Sequence, residues 1–442
     1  MAYAQYKELD SSGVAWLQKK PSHWRVKRLK FSTDLINNKV SVDDSSLPYL
    51  GLEHIESWTG RRIDGEIGSS EGLASSFAVG DVLFGKLRPY LAKVHLAQQN
   101  GLISSEALVL RSKGELNAEF LKYYMLSRDF INIVDSSTYG SKMPRASWDF
   151  IGNLPVLLPD VEEQKAIARF LDFQTAQIDA LIAKKKALLD KLAEKRTALI
   201  GHAVTKGLDP SVAMKDSGVA WLGEIPVHWK ITRVKYIARI GNGSTPSRDK
   251  SDYWADGYFP WLNSSVVNQE EVVDSDQFVT DLALKECHLP IVQPPAVLVG
   301  ITGQGKTRGM AAKLGIVATI NQHLAYVKPT AIDVSVDYLL FLFERAYSFL
   351  RSESDGGGST KGAITCEQIA NLEMPLPPAA EQIAIEAHLA KKLEELRDMG
   401  KQVFNVIDRL QEYRSALITN AVTGKIDVCG FAIPQTAEGV TS

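Results

Sequence analysis

One stretch of this 442-residue chain has the residue types and spacing to bind a nucleotide. Residues 300–307, GITGQGKT, match GxxxxGK[ST], in which backbone N–H groups cradle phosphates and the lysine reaches them. That chemistry needs a helix next, so that its N-terminus meets the phosphates. Here Gly309 and Gly315 interrupt and strand-like residues resume, and no strand ending in a Mg-binding Asp is evident downstream. A P-loop ATPase built on Gly300 to Thr307 is therefore the rival reading. A second pattern, Pro159-Asp160 with Glu163 and Lys165, mimics a PD…ExK nuclease signature, but its acids sit where a helix starts and suit capping. His23 and His228 stand in PxHW contexts that read as packing, and no GxSxG elbow, CxxC or HExxH is present. Gln293-Pro-Pro-Ala296 lacks the Asn and the aromatic residue of an NPPY-like methyltransferase tetrapeptide. No catalytic residue and no metal site are expected, and the chain is not read as an enzyme.

Recognition chemistry remains. Lys27 lies in a basic run, Lys19 to Lys30, that has no acid. Lys86, Arg88 and Tyr90 follow a strand-like DVLFG, and residues 136–148 add Lys142 and Arg145. Three Gly-rich loops carry Ser244 and Thr245, then Gln304, Lys306 and Arg308, then Lys361. Such loops let backbone N–H groups approach phosphates, while Lys and Arg reach phosphates or guanine edges. These twelve residues are the candidate DNA contacts. Net charge is only −2, so the case rests on local distribution. Hydrophobic content of 45% and charged content of 23% fit a globular chain. Three scattered cysteines fit a reducing cytoplasm. The start has no apolar h-region and no long apolar run follows, so neither a signal peptide nor a membrane span is expected.

What must position these loops is written twice. SSGVAWLQKKPSHWRVKRLK at 11–30 returns 205 positions on as DSGVAWLGEIPVHWKITRVK, and NLPVLLPDVEEQKAI at 153–167 returns 218 positions on as NLEMPLPPAAEQIAI. Each second echo opens a heptad pattern. Ile167, Leu171, Ile178, Leu181, Leu188, Leu192 and Leu199 mark the first. Ile385, Leu389, Leu396, Met399, Val403, Val406, Leu410 and Leu417 mark the second. Lys185, Lys195 and Lys392 fall on the same stripe. Gly207 and Gly424 are stop signals. The pattern predicts domains at 1–158 and 208–376, coiled-coil helices at 159–207 and 377–426, and a tail at 427–442. The fold class expected is α/β (α+β): two tandem globular domains separated by two long helices that pair antiparallel about a pseudo-twofold axis.

With these residues in place, the chain resembles the specificity subunit of a type I restriction-modification system. The resemblance is carried by the duplicated SGVAWL…PxHW segments, by GDVLFGKLRPYLAKV at 80–94, and by PLPP…EQ at 375–382 with its relative at 159–164. It implies that each domain reads one half of a bipartite site in double-stranded DNA, with the helix pair setting the spacer. It further implies two DNA-methyltransferase subunits as partners, carrying S-adenosylmethionine, and restriction/translocase subunits using ATP and Mg, in the cytoplasm at the nucleoid. No cofactor is expected on this chain itself. A coiled-coil scaffold that binds proteins and not DNA is the other rival.

Overall fold

A computed structural model describes residues 3–14, 16–43, 45–63, 65, 72–140, 142–303, 305–355 and 362–433. By internal contacts the chain forms two compact units, residues 1–186 with 404–442, and residues 187–403. Each unit therefore holds one globular module and part of each long helix. Those helices run Val161–Lys206 and Ala379–Val422, and the glycines after them, Gly207 and Gly424, adopt φ of +76° and +71°. That left-handed geometry ends a helix at little cost only for residues such as glycine.

In the first unit, strands Thr33–Ile36, Ala107–Ser112, Val82–Gly85 and Val94–Leu96 form an antiparallel sheet in that order. The central strand Val82–Gly85 is buried throughout, as its unbroken apolar run requires. A second four-stranded sheet pairs Tyr49–Leu50 parallel to Gly101–Ser104. Ile55, Phe77, Leu83, Ile103 and Val109 form part of the shared core.

The second unit repeats the frame. Strands Ala238–Asn242, Leu324–Pro329, Ala296–Gly300 and Ala311–Leu314 take the same order, extended by Glu271–Val272. Here the matching parallel pair is Phe259–Leu262 with Thr319–Ile320, and Glu271–Val272 also runs parallel to Ala311–Leu314. The additions differ: an antiparallel pairing of Lys39–Ser41 with Leu73–Phe77 in the first unit, and a short helix Asp281–Glu286 in the second.

The duplicated motifs are the joints between module and helices. In the first unit His23 Nε2 lies 2.9 Å from Glu163 Oε2 at the start of the first helix. Trp24 is buried and its ring stands against Gly424, at the end of the second helix. In the second unit His228 Nε2 lies 2.6 Å from Glu381 Oε1, and buried Trp229 stands against Gly207. Gln164 and Gln382 are buried equivalents. Each donates from Nε2 to two module carbonyls, of Glu115 and Pro159 or of Asp333 and Pro377. Each accepts at Oε1 from a backbone N–H, that of Asn117 or of Ser335. Within the first unit, contacts run from Glu163 beside Gly424 to Asp179 against Arg414; within the second, from Glu381 beside Gly207 to Leu396 clustered with Leu192. In each unit the paired helical segments are antiparallel.

At some positions the seam differs from the expected stripe by one residue, in the same sense in both helices. Ile167, Leu171, Ile178, Ile385, Leu389, Leu396, Val403 and Leu417 are buried, and Leu192, Leu199 and Leu410 are half-buried. Leu181, Leu188, Met399 and Val406, however, are exposed, and so is Lys195. The covered positions are Ile182, Leu189 and Arg196 in one helix and Gly400, Ile407 and Arg414 in the other. The reason is chemical. Arg414 lies buried in the seam with its guanidinium paired to Asp179 of the other long helix, whereas Arg196, half-buried, pairs with Glu344 of the module helix Val336–Asp355. A search for apolar residues passes over Arg and Gly and settles on the wrong flank. Lys185 and Lys392 sit half-covered, Lys392 paired with Glu395 at 2.8 Å.

Candidate nucleic-acid interface

The P-loop pattern folds as a hairpin. Ala296–Gly300 and Ala311–Leu314 pair antiparallel, and the Gly309 N–H donates to the Gly300 carbonyl at 2.7 Å. A strand follows the glycines where a phosphate site needs a helix N-terminus, so the ATPase reading loses its premise. Asp160 caps the first long helix, its Oδ1 accepting the Glu163 N–H at 2.8 Å. Glu163 in turn accepts from Tyr6 at 2.7 Å. No nuclease geometry forms there.

The candidate contact residues separate into groups. Lys27 lies on Arg25–Arg28, the strand paired with Pro155–Leu158 just before the long helix, and its Nζ is 3.6 Å from Glu115. It belongs to the module base. Lys86, Arg88 and Tyr90 share a surface with the segment bearing Lys142 and Arg145: the Arg88 N–H donates to Pro144 O at 2.8 Å, and Leu87 bridges Arg145. Arg88 and Tyr90 are exposed, with Arg88 in the left-handed region at φ +50°, and Lys142 is exposed. Arg145 is held side-on by Glu106, at 2.9 Å from Nε and 3.1 Å from Nη2. That carboxylate raises the arginine's pKa.

In the second unit the Ser244 carbonyl accepts from Trp261 Nε1, and Thr245 Oγ1 donates to Gln322 Oε1 at 2.5 Å. Lys306 is exposed and lines a cavity of about 1040 Å³ with Arg196, Gly201, Met310 and Tyr347. Arg308 is a correction. Its side chain is only 6% exposed, is paired with Asp355 at 2.7 Å and is pressed on Gly362, so it offers no face to a duplex. Gln304 and Lys361 lie outside the described residues.

The structure brings forward residues that a search for cations misses. Lys39 Nζ donates to Ser75 Oγ at 2.8 Å and lines a pocket of about 290 Å³ with Lys86, Tyr139 and Trp148. Partial desolvation, and then the neighbouring Lys86, lower its pKa, so the ammonium gains from any anion that enters. In the second unit Thr302 Oγ1 lies 2.6 Å from His323 Nδ1, and Gln322 Nε2 lies 3.2 Å from His323 Nε2. The turn Asn321-Gln322-His323 between two strands was the available signal. Among the described residues no cluster of three or more His, Cys, Asp or Glu could hold a metal ion, and no helix is long and apolar enough to cross a membrane.

Comparison with known proteins follows the same duplication. The family model described as the type I restriction modification DNA specificity domain matches residues 75–191 and 226–401. The specificity subunit of the Escherichia coli type I restriction enzyme EcoDI is 26% identical over 235 residues, 52% of each chain, so that match spans about half of the relative. The putative MjaX specificity subunit of Methanocaldococcus jannaschii is 24% identical over 434 residues, covering 92% of this chain and 95% of its own. A solved structure of complex assembly and conformational transition in the type I R-M system shares the fold, with a TM-score of 0.69 at 18% identity, covering 92% of this chain and 99% of that one. The HsdS subunit of Thermoanaerobacter tengcongensis gives 0.50 at 19% identity, with 92% and 98% coverage.

Proposed function

Since the chain belongs to the type I restriction modification DNA specificity domain family, we propose that it is the non-catalytic DNA-reading subunit of such a complex, each module reading one half of a bipartite duplex site. The observation that carries this reading is the duplicated frame with divergent polar side chains. The family match falls once in each half, while the surface chemistry at equivalent positions differs. The modules are the segments 1–158 and 208–376, and the helix pair sets the length of unread spacer between half-sites.

The exposed apolar side chains on the helices support the partners. Leu181 and Val406 protrude in one unit, and Met399 and Leu188 in the other. Under the 218-residue offset Leu181 corresponds to Met399 and Leu188 to Val406. Two equivalent apolar pairs suit two copies of one partner, the methylation subunits. S-adenosylmethionine, ATP and Mg would then reside on partner subunits, methylation and restriction/translocase alike, in the cytoplasm.

The test is genome-wide mapping of methylated adenines in cells with and without this chain. The expected result is a two-part motif that disappears on deletion. An unchanged methylation pattern would sink the proposal.

A further inference from the structure

The two modules anchor one short strip of surface with the same backbone bonds. After the central strand, the Lys86 N–H donates to Glu106 O at 2.9 Å, and the Ile301 N–H donates to His323 O at 2.9 Å. The Ala146 N–H donates to Lys86 O at 3.0 Å, and the Ile364 N–H to Ile301 O at 2.8 Å. Leu87 bridges Arg145 as Thr302 bridges Ala363. Ser147 and Thr365 then cap the short helices Trp148–Ile151 and Cys366–Asn371. These bonds make Glu106 equivalent to His323, Leu87 to Thr302, and Ser105 to Gln322.

The strip lies at the opposite end of these strands from the start of the long helix that follows each module. Ala107–Ser112 leads from Glu106 towards Glu115 and Asn117, whose backbone groups bond Gln164 of the first long helix. Leu324–Pro329 leads from His323 towards Asp333 and Ser335, which bond Gln382 of the second. Six extended residues span about 20 Å, so the strip is about that far from the helix start.

Resting on the DNA-reading function above, we infer that this strip is where each module discriminates bases: Glu106 and Arg145 in the first module, with Lys39 beside them for the backbone, and Thr245, Thr302, Gln322 and His323 in the second. Identical backbone with unlike side chains is what two readers of different sequences require. In the first module Glu106 holds Arg145 by Nε and Nη2 and Nη1 reaches the Met143 carbonyl at 3.5 Å, which fixes the guanidinium plane and leaves one N–H on each of Nη1 and Nη2 for a ligand. A guanidinium edge held so matches guanine O6 and N7. Lys39, crowded by Lys86, suits a neighbouring phosphate. The named residues of the second strip include no Lys, Arg, Asp or Glu. Its Thr302–His323–Gln322–Thr245 chain of contacts orients an amide, the group that pairs bidentately with adenine N6 and N7. The first half-site therefore contains a guanine at the strip, and the second an adenine.

The experiment assembles the full chain with its methylation partner and selects duplexes from a randomised pool for sequencing. With Arg145→Ala and Arg145→Lys, preference for one guanine in one half-site falls about tenfold while the other half-site keeps its motif. Gln322→Ala does the same to one adenine in the opposite half-site. The Lys variant keeps charge and fold and removes only the planar fork, so retained guanine preference there overturns the inference. Uniform weakening on all sequences, or an unchanged motif, also overturns it. A wild-type complex that selects no motif instead overturns the DNA-reading function on which it rests.

Discussion

At one position in their shared frame the two units carry opposite charge. In the first, Arg61 of the module reaches Asp179 of the long helix at 2.8 Å; in the second, Glu270 reaches Arg397 at 2.7 Å. Asp179 and Arg397 are 218 positions apart, the period of the helix repeat, so the same link has been rebuilt with its polarity reversed. Seating either module on the other's helix would set like charges together. The comparison teaches that the frame is held by features common to both copies, His–Glu, Trp and buried Gln, while the links beside it tell the copies apart.

The comparison breaks most easily at its shared part. Trp24→Ala and Trp229→Ala each empty a fully buried site and should cost about 3–5 kcal/mol in chemical denaturation. A cost near zero for either would show that the joints are not equivalent.

The reversed link should respond unequally. Asp179 is 8% exposed and also pairs with Arg414, itself 9% exposed, so Asp179→Ala strands a buried guanidinium and should cost about 3 kcal/mol. Its equivalent, Arg397, makes an exposed pair, and Arg397→Ala should cost less than about 1 kcal/mol. Equal costs in the same denaturation assay would remove the distinction.

The smallest effect concerns the carboxylates at the helix starts. Glu381 meets His228 and Trp229, whereas Glu163 meets His23, Tyr6 and the Cys429 thiol, and Trp24 Nε1 has no partner among the described residues. Partial burial, then Glu163 and Asp427, push the Cys429 thiol up to about 12. Because the shift is upward, thiolate is scarce at pH 8, on the order of one part in ten thousand. Iodoacetamide labelling followed by mass spectrometry should find Cys429 slow in the native chain and roughly threefold faster in Glu163→Gln. Equal rates would show that Glu163 does not govern it.

Much of this was legible because the chain repeats itself. Trp24 and Trp229, Glu163 and Glu381, and Gln164 and Gln382 announce the joints by recurring, and Gly207 and Gly424 mark both helix ends. The phase of the seam was not legible, since Arg414 enters it only by virtue of Asp179, which is distant in sequence, and Arg196 turns to Glu344 of the module. Arg308 looked like a surface cation because nothing nearby in sequence reveals Asp355 as its partner. The strip escaped for the opposite reason. Glu106 and His323 carry no positive signature, and their equivalence emerges only from backbone bonds that pair them with Lys86 and Ile301.

The Trp24–Gly424 joint also bears on how the polypeptide is made. The unit whose module is made earlier is sealed by residues made after the whole of the other unit: Trp24 meets Gly424, the Asp427 N–H donates to the Ala4 carbonyl, and Phe431 packs edge-on against Phe170. The other unit is one uninterrupted stretch. A ribosome thus releases everything the later module needs before the earlier one can close. A nonsense codon just after position 403 would strip the older half of its seal and spare the younger.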